Sequence, residues 1–382
     1  MPLDRSTQST DSLDITVSGG SMGGLFTGIA LDRTGHDVTV FERSSAALGS
    51  RGGGIVAQES IRRFLSRHGI ADPDDLTTTA GERRLLTADG DVRTATPDSM
   101  VFTSWDALYR RLRDAFPDDR YHAGRRVDTV TPATGRATLD DGTTVDADLV
   151  VAAEGGRSAT RRRLFPDVTP EFADYVAWRG LVPETDLPAS VVSAFDGRFT
   201  FYQGSKTLIL AYFIPGADGG TSAGERRLNW VWYDTLTGRD RDAIFTDATG
   251  DEGSFGVPPG ELRSPVERRQ RERAVDSLPP AFADPVAATT EPFVQAIYDL
   301  TVPAMTVDRV CLLGDAAFVA RPHTAAGTSK AAGDAAELSA ALDDHGSLGD
   351  ALSSWCGRRR AYGDRLVTQG RRMGDDRLGL SA

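Results

Sequence analysis

Apolar and polar positions change period along this chain, and the changes mark out its elements. Residues 14–17 form a short β-type run that ends in a glycine cluster. Leu25, Phe26, Ile29 and Ala30 then recur at helical spacing across 23–33, Gly35 supplies a stop, and 37–41 reads as a second strand. Strand, glycine turn, helix and strand within about thirty residues make a βαβ unit, which requires a parallel sheet. Residues 101–112 read as helical, and 127–145 as short strands with a hairpin turn at Asp141-Gly142. The continuous apolar runs 148–153 and 309–313 have the pattern of strands buried on both faces. Between them, 176–182, 199–203, 207–214 and 228–233 are β-rich runs separated by Gly, Pro and Asp, the signature of an antiparallel sheet. Residues 246–260 read as a loop and 324–342 as a helix. No internal repeat is present.

Composition narrows the class. No run of eighteen apolar residues exists, so a membrane-spanning helix is not expected. Residues 1–12 are Ser, Thr and Asp-rich and lack the apolar stretch of a secretory signal, so they read as a disordered tail. Cys311 and Cys356 have neither metal-ligand spacing nor the number for a disulfide framework, which suits a reduced, cytoplasmic protein, and no metal site is expected. Acidic residues number 55 against 43 basic ones, and only two of the latter, Lys206 and Lys330, are lysines. Such an Asp-rich, Lys-poor balance is halophile-like, or the product of a high-GC genome. In either case a net charge of −12 disfavours a surface that tracks nucleic-acid phosphates.

Two motifs carry candidate chemistry. Gly19-Gly20-Ser21-Met22-Gly23-Gly24 sets onto a G-x-G-x-x-G fingerprint: Gly19 makes the tight turn, Gly24 permits close helix–strand packing, and Ser21 takes the middle glycine's place. The helix that follows would aim free N–H groups and its positive dipole end at a pyrophosphate, with Gly23 in its first turn. Glu42 ends the second strand, where a carboxylate can accept both hydroxyls of an adenosine ribose; Arg43 follows and can reach adenine or phosphate, or lie on the surface. Far downstream, a buried strand delivers Gly314-Asp315, then Arg321-Pro322-His323 and a small-residue helix from about Ala325. Asp315 could bond a polyol hydroxyl while the helix N-terminus faces an anion, an arrangement that suits a reduced flavin.

These motifs, with Asp148–Ser158 between them, resemble the single-component FAD-dependent aromatic hydroxylases over almost the whole chain. The stretches Phe102–Asp106, Tyr175–Gly180, Arg227–Trp230 and Arg321–Gly327 carry the resemblance more specifically than the glycines do. It implies an α/β fold: a Rossmann-type FAD-binding domain on a parallel sheet, an inserted, mostly antiparallel β-sheet substrate domain, and C-terminal helices. The expected division is FAD-binding at 13–170 and 291–345, substrate sheet at 171–290, and a helical segment at 346–382. Three positions depart from the family pattern. Glu154 stands for an aspartate that serves FAD and the pyridine nucleotide together, Trp105 for an arginine, and Phe318 for a histidine.

The resemblance further implies FAD as cofactor and NAD(P)H as a transient co-substrate, in keeping with the lack of a second dinucleotide fingerprint. O2 would add at flavin C4a, and the hydroperoxide would hydroxylate a small aromatic or N-heteroaromatic substrate. It places the cofactor against Trp105, Val127, Glu154, Gly155, Pro322, Ala325, Ala326 and Gly327 as well as the two motifs. His323 is the expected base, since its unperturbed pKa of about 6.5 suits proton transfer near neutrality; the other reading is that it faces away and bonds backbone. Phe201, Tyr202, Tyr212, Trp230 and Trp232 belong to the substrate sheet. Alternation turns about half of them away, and Tyr202, Tyr212 and Trp232 are the expected substrate contacts. An FAD-dependent oxidoreductase of another class, such as a C=C reductase or dehydrogenase, is the alternative on the same scaffold. If the chain self-associates, a homodimer is the expected form.

Overall fold

The computed structural model describes residues 10, 12–46, 48, 52–236, 238–251, 253 and 255–380, without the side chains of 238–240. The expected tail lies outside the described residues except for Thr10 and Ser12.

The predicted βαβ unit forms the centre of a six-stranded sheet. Strand Asp14–Ser18 pairs in parallel with Asp37–Glu42 on one side and Leu149–Ala152 on the other, and Val310–Leu312 and Tyr121–Ala123 extend it in parallel. The apolar runs end up here because all four residues of Leu149–Ala152 and all three of Val310–Leu312 are buried. Helices Met22–Asp32 and Gly327–Asp344 and part of the long C-terminal helix Leu348–Leu378 close the core with Leu25, Phe26, Leu338, Leu342 and Trp355. The hairpin at Gly142 (φ 85°) joins two strands of a separate three-stranded sheet.

The second large sheet has nine strands. All four predicted β-rich runs belong to it, as Glu171–Pro183, Arg198–Gly204, Thr207–Ile214 and Arg227–Thr235, and Phe293–Asp299 joins beside the first. Every neighbouring pair is antiparallel except Arg198–Gly204 with Thr78–Leu86. The sheet does not begin at residue 171, since Gly54–Val56, Thr78–Leu86 and Val92–Ser104 also contribute. Two of these escaped a reading by apolar alternation because they are polar: Val92–Asp98 is exposed throughout except for one half-buried position.

Helices Ala189–Phe195, Ser264–Ser277 and Pro280–Ala288 cover one face of this sheet. The other face turns toward the parallel-sheet half of the molecule.

Two helix boundaries correct the sequence reading. Residues 101–104, expected to be helical, finish the strand Val92–Ser104; the helix is Trp105–Ala115, capped where Ser104 Oγ accepts the Ala107 N–H at 3.2 Å. The helix expected from Thr324 starts at Gly327, because Pro322–Thr324 is a 3₁₀ turn and Ala325 is left-handed at φ 55°. The loop expected at 246–260 contains a two-residue strand, Gly256–Val257. Among the described residues, no helix is long and apolar enough to cross a membrane, and no His, Cys, Asp and Glu cluster is placed to hold a metal.

Candidate active site

The glycine turn is dictated by contact distances. A Cβ on Gly24 would lie 1.8 Å from the carbonyl oxygen of Gly19, and one on Gly20 2.4 Å from the Tyr121 hydroxyl. Gly19 itself is at φ 105°, and its N–H donates to Phe41 O. Ser21 caps helix Met22–Asp32 without a side-chain bond, so the first-turn N–H groups face outward as an anion site. Gly23 is less constrained, with Leu313 Cδ2 3.3 Å from its would-be Cβ.

Beside the turn, Glu42 is buried. Its carboxylate oxygens accept the Gly20 and Ser44 N–H groups at 2.8 Å each, which leaves a lone pair on each for a diol. Arg43 is exposed next to it, and Val127 packs with Phe41, Ala137 and Leu139.

Glu154 plays a different part from the one expected. Its carboxylate accepts Ser18 Oγ, Ser158 Oγ, Thr160 N and Thr160 Oγ1, all between 2.6 and 2.9 Å. Those four bonds tie the loop to the first strand and consume the acceptor that a nucleotide would need. Gly155 follows at φ 74° with open space around it.

A cavity of about 920 Å3 separates the two sheets. One end is lined by Gly52–Val56, Trp105, Asp315, Pro322, Ala325, Gly327 and Thr328. Trp105 stacks on Tyr109 with ring centroids 4.9 Å apart. Ala326 does not reach the cavity; it is buried in the core as the helix cap. Gly314 adopts φ 61°, and the Asp315 side chain is 50% exposed toward the cavity.

The opposite wall is the sheet. Alternation presents Phe199, Phe201, Leu208, Leu210, Tyr212, Val231 and Tyr233 to the cavity. Tyr212 stacks on Phe102 at 3.9 Å. The other two expected substrate contacts are on the wrong face. Trp232 is 1% exposed and donates Nε1–H to Thr207 Oγ1, while Tyr202 packs on the same helix-covered core. Trp230 lies there too. In each strand the residue one place along faces the cavity instead.

His323 lines the cavity but is not poised as a base. Its Nε2 lies 3.0 Å from the Tyr175 hydroxyl, and its ring packs 4.4 Å from Tyr233. The Arg321 guanidinium lies 5.6 Å from the centre of the Tyr175 ring, and His323 Nδ1 is buried without a hydrogen-bond partner. Burial, helped by Arg377 and Arg321, pushes the imidazole down to about 3, so it stays neutral at physiological pH. It bonds a side chain, not the backbone.

The sequence reading missed Arg179 and Gln295. Arg179 NH1 donates to Gln295 Oε1 at 3.1 Å, its Nε is buried without a partner, and it pairs with no carboxylate among the described residues. It faces the cavity between Tyr212 and Tyr233. Burial holds both phenols protonated, Tyr233 up to about 12. Arg179 lies inside the family-like stretch Tyr175–Gly180, which was its one signal in sequence.

Residues 172–299 match a family described as FAD binding domain-like. One third of the residues are shared with a characterised hydroxylase across nearly its full length, and the glycine turn, Glu42 and Asp315 fit a dinucleotide-linked flavin. The chain belongs to the single-component FAD-dependent aromatic hydroxylases and is an FAD-dependent monooxygenase. The relative is 2,6-dihydroxypyridine 3-monooxygenase of Paenarthrobacter nicotinovorans, 33% identical over 94% of this chain and 90% of its own. The solved 2,6-dihydroxypyridine-3-hydroxylase from Arthrobacter nicotinovorans superposes with a TM-score of 0.91 at 31% identity, covering 98% of this chain and 94% of that one. Klebsiella pneumoniae HpxO, solved with FAD and uric acid, shares the fold at a TM-score of 0.75 and 20% identity, over 96% and 89% of the two chains.

Proposed function

We propose that the chain hydroxylates a small, hydroxylated aromatic or N-heteroaromatic ring, with NAD(P)H as electron donor and O2 as oxidant. The observation that carries this reading is Arg179, which pairs with no carboxylate among the described residues and faces the cavity beside the aromatic wall of Tyr212 and Tyr233. An electron-rich ring is most reactive as its oxyanion, and an unneutralised guanidinium in a poorly hydrated site favours that form.

The residues present fit FAD. The N–H groups after Ser21 would hold the pyrophosphate, Glu42 the ribose, Asp315 the ribityl chain, and the helix start at Gly327 and Thr328 the anionic edge of the ring. When bound, FAD supplies the redox chemistry, taking a hydride from the nicotinamide and activating O2 to transfer one oxygen atom.

The chain's own residues do the rest. Tyr212, Phe199 and Phe201 give the substrate ring a flat apolar wall and exclude water. Arg179, held by Gln295, receives the ring oxygen. His323 stays neutral and tied to the Tyr175 hydroxyl. The solved relative's substrate, 2,6-dihydroxypyridine, has this chemistry.

The test is a screen of hydroxypyridines and hydroxybenzoates, 2,6-dihydroxypyridine first, for stimulation of NADH and NADPH oxidation. Arg179→Gln should lower kcat/KM on an active ring by roughly ten- to a hundredfold, the range of a hydrogen bond to a charged group. Stimulation by none of these rings would refute the substrate reading.

A further inference from the structure

Lys330 is one of two lysines in the chain, and its side chain is 1% exposed. Its Nζ lies 2.6 Å from Asp315 Oδ1, donates to the carbonyl oxygen of Phe318, and sits 4.7 Å from the centre of the Phe318 ring. Asp315 is the opposite case, with one carboxylate oxygen on a buried ammonium and half its surface open to the cavity.

The turn that these residues straddle is held elsewhere without Lys330. Gly314 N–H donates to Asp334 Oδ2 at 2.9 Å, and Arg161 NH1 donates to Ala316 O at 3.3 Å. Asp334 has its own counter-ion in Arg359, with Nε at 2.5 Å from Oδ1. Among the described residues Asp315 is the one acidic side chain on the cavity wall, and Lys330 is its counter-ion. Burying an ammonium strips it of its hydration, and a neutral side chain could cap the Phe318 carbonyl at lower cost. What lysine adds at this place is charge.

We infer that Lys330 is a positioning residue that aims the Asp315 carboxylate into the cavity and cancels its charge, so that a reduced, anionic flavin is not repelled there. The inference rests on the reading that FAD lies against Asp315. Without Lys330 the carboxylate would be free to turn and would present a full negative charge where reduction adds another.

The experiment compares the holoenzyme with Asp315→Asn, Lys330→Met and the double variant, reading the flavin midpoint potential and the FAD dissociation constant. Lys330→Met should move the potential negative, Asp315→Asn should move it positive, and the double variant should return close to the parent. Lys330→Met should also weaken FAD binding roughly tenfold, and Lys330→Arg should restore it in part. If Lys330→Met fails to fold, Lys330→Gln keeps a donor to Phe318 O, drops the charge, and gives the same readout. A potential that Asp315→Asn leaves unmoved overturns the placement of FAD against Asp315. A potential that responds to Asp315→Asn but to neither Lys330 variant overturns the role of Lys330. A lowered melting temperature with an unchanged potential makes Lys330 structural only, and also overturns it.

Discussion

The Tyr175 hydroxyl and His323 Nε2 lie 3.0 Å apart, so this bond engages one ring nitrogen of the cavity-wall histidine while the other, Nδ1, is buried without a partner. An imidazole held near 3 is too weak a base to take one from a phenol at neutral pH. His323→Asn should therefore retain hydroxylation within a few-fold of the parent. General-base removal costs roughly 10²–10⁴-fold, so a loss of that size with FAD retained, measured in steady-state turnover, would reinstate the histidine as base.

The same residue makes stability depend on pH. Its folded value is about 3 against 6.5 when free, so the unfolded chain takes up the proton first as pH falls. The contribution is fully present above 6.5 and is lost progressively as pH drops toward about 3, by up to about 1.4 kcal/mol per unit. Denaturant melts across that range should show a shallower pH slope in His323→Asn than in the parent. Identical slopes would contradict the assignment.

Two glycines should fail for different reasons. Gly24→Ala drives a Cβ into the Gly19 carbonyl at 1.8 Å and should cost about 3 kcal/mol or more, with loss of bound flavin. Gly155→Ala meets no neighbour and pays only for φ 74°, about 1 kcal/mol, with flavin kept. Thermal melts and flavin absorbance distinguish the two.

The two faces of the sheet should separate stability from kinetics. Trp232→Phe loses the bond to Thr207 on the helix-covered face and should cost about 1 kcal/mol while leaving kinetics unchanged. Tyr212→Ala opens the cavity wall and should raise the KM for the ring substrate at least tenfold, with FAD content unchanged. A Trp232→Phe enzyme altered in KM would undo the assignment of faces.

What was legible in the sequence followed what leaves a local imprint. The βαβ unit and the Gly314-Asp315 turn could be read because short spacings and a positive φ restrict the residue types allowed. The four strands between 171 and 235 could be read because apolar residues mark them. Strand 92–104 could not: its first half is solvent-exposed and polar, and its pairing with 78–86 supplies the order. Tyr202 and Tyr212 both invited a substrate role, and only the register of their strands decides which one faces inward. Glu154 was read as a cofactor acceptor because its motif suggested one; its four bonds to three residues, of which Ser18 is distant in sequence, show it spent on the fold. Arg179 was missed because, beyond its place in the stretch Tyr175–Gly180, an arginine in a strand is not singled out until the absence of a carboxylate beside it is seen in three dimensions.

The central claim is transfer of oxygen from O2 to a ring held by Arg179. The direct measurement is turnover of 2,6-dihydroxypyridine, or the most active ring in the screen, under isotopically labelled O2, with the product analysed by mass spectrometry. The account predicts a product carrying a single labelled oxygen atom, in amounts that match NAD(P)H consumed. Oxidation of NAD(P)H with unlabelled product, or with hydrogen peroxide as the only fate of the O2, would contradict it.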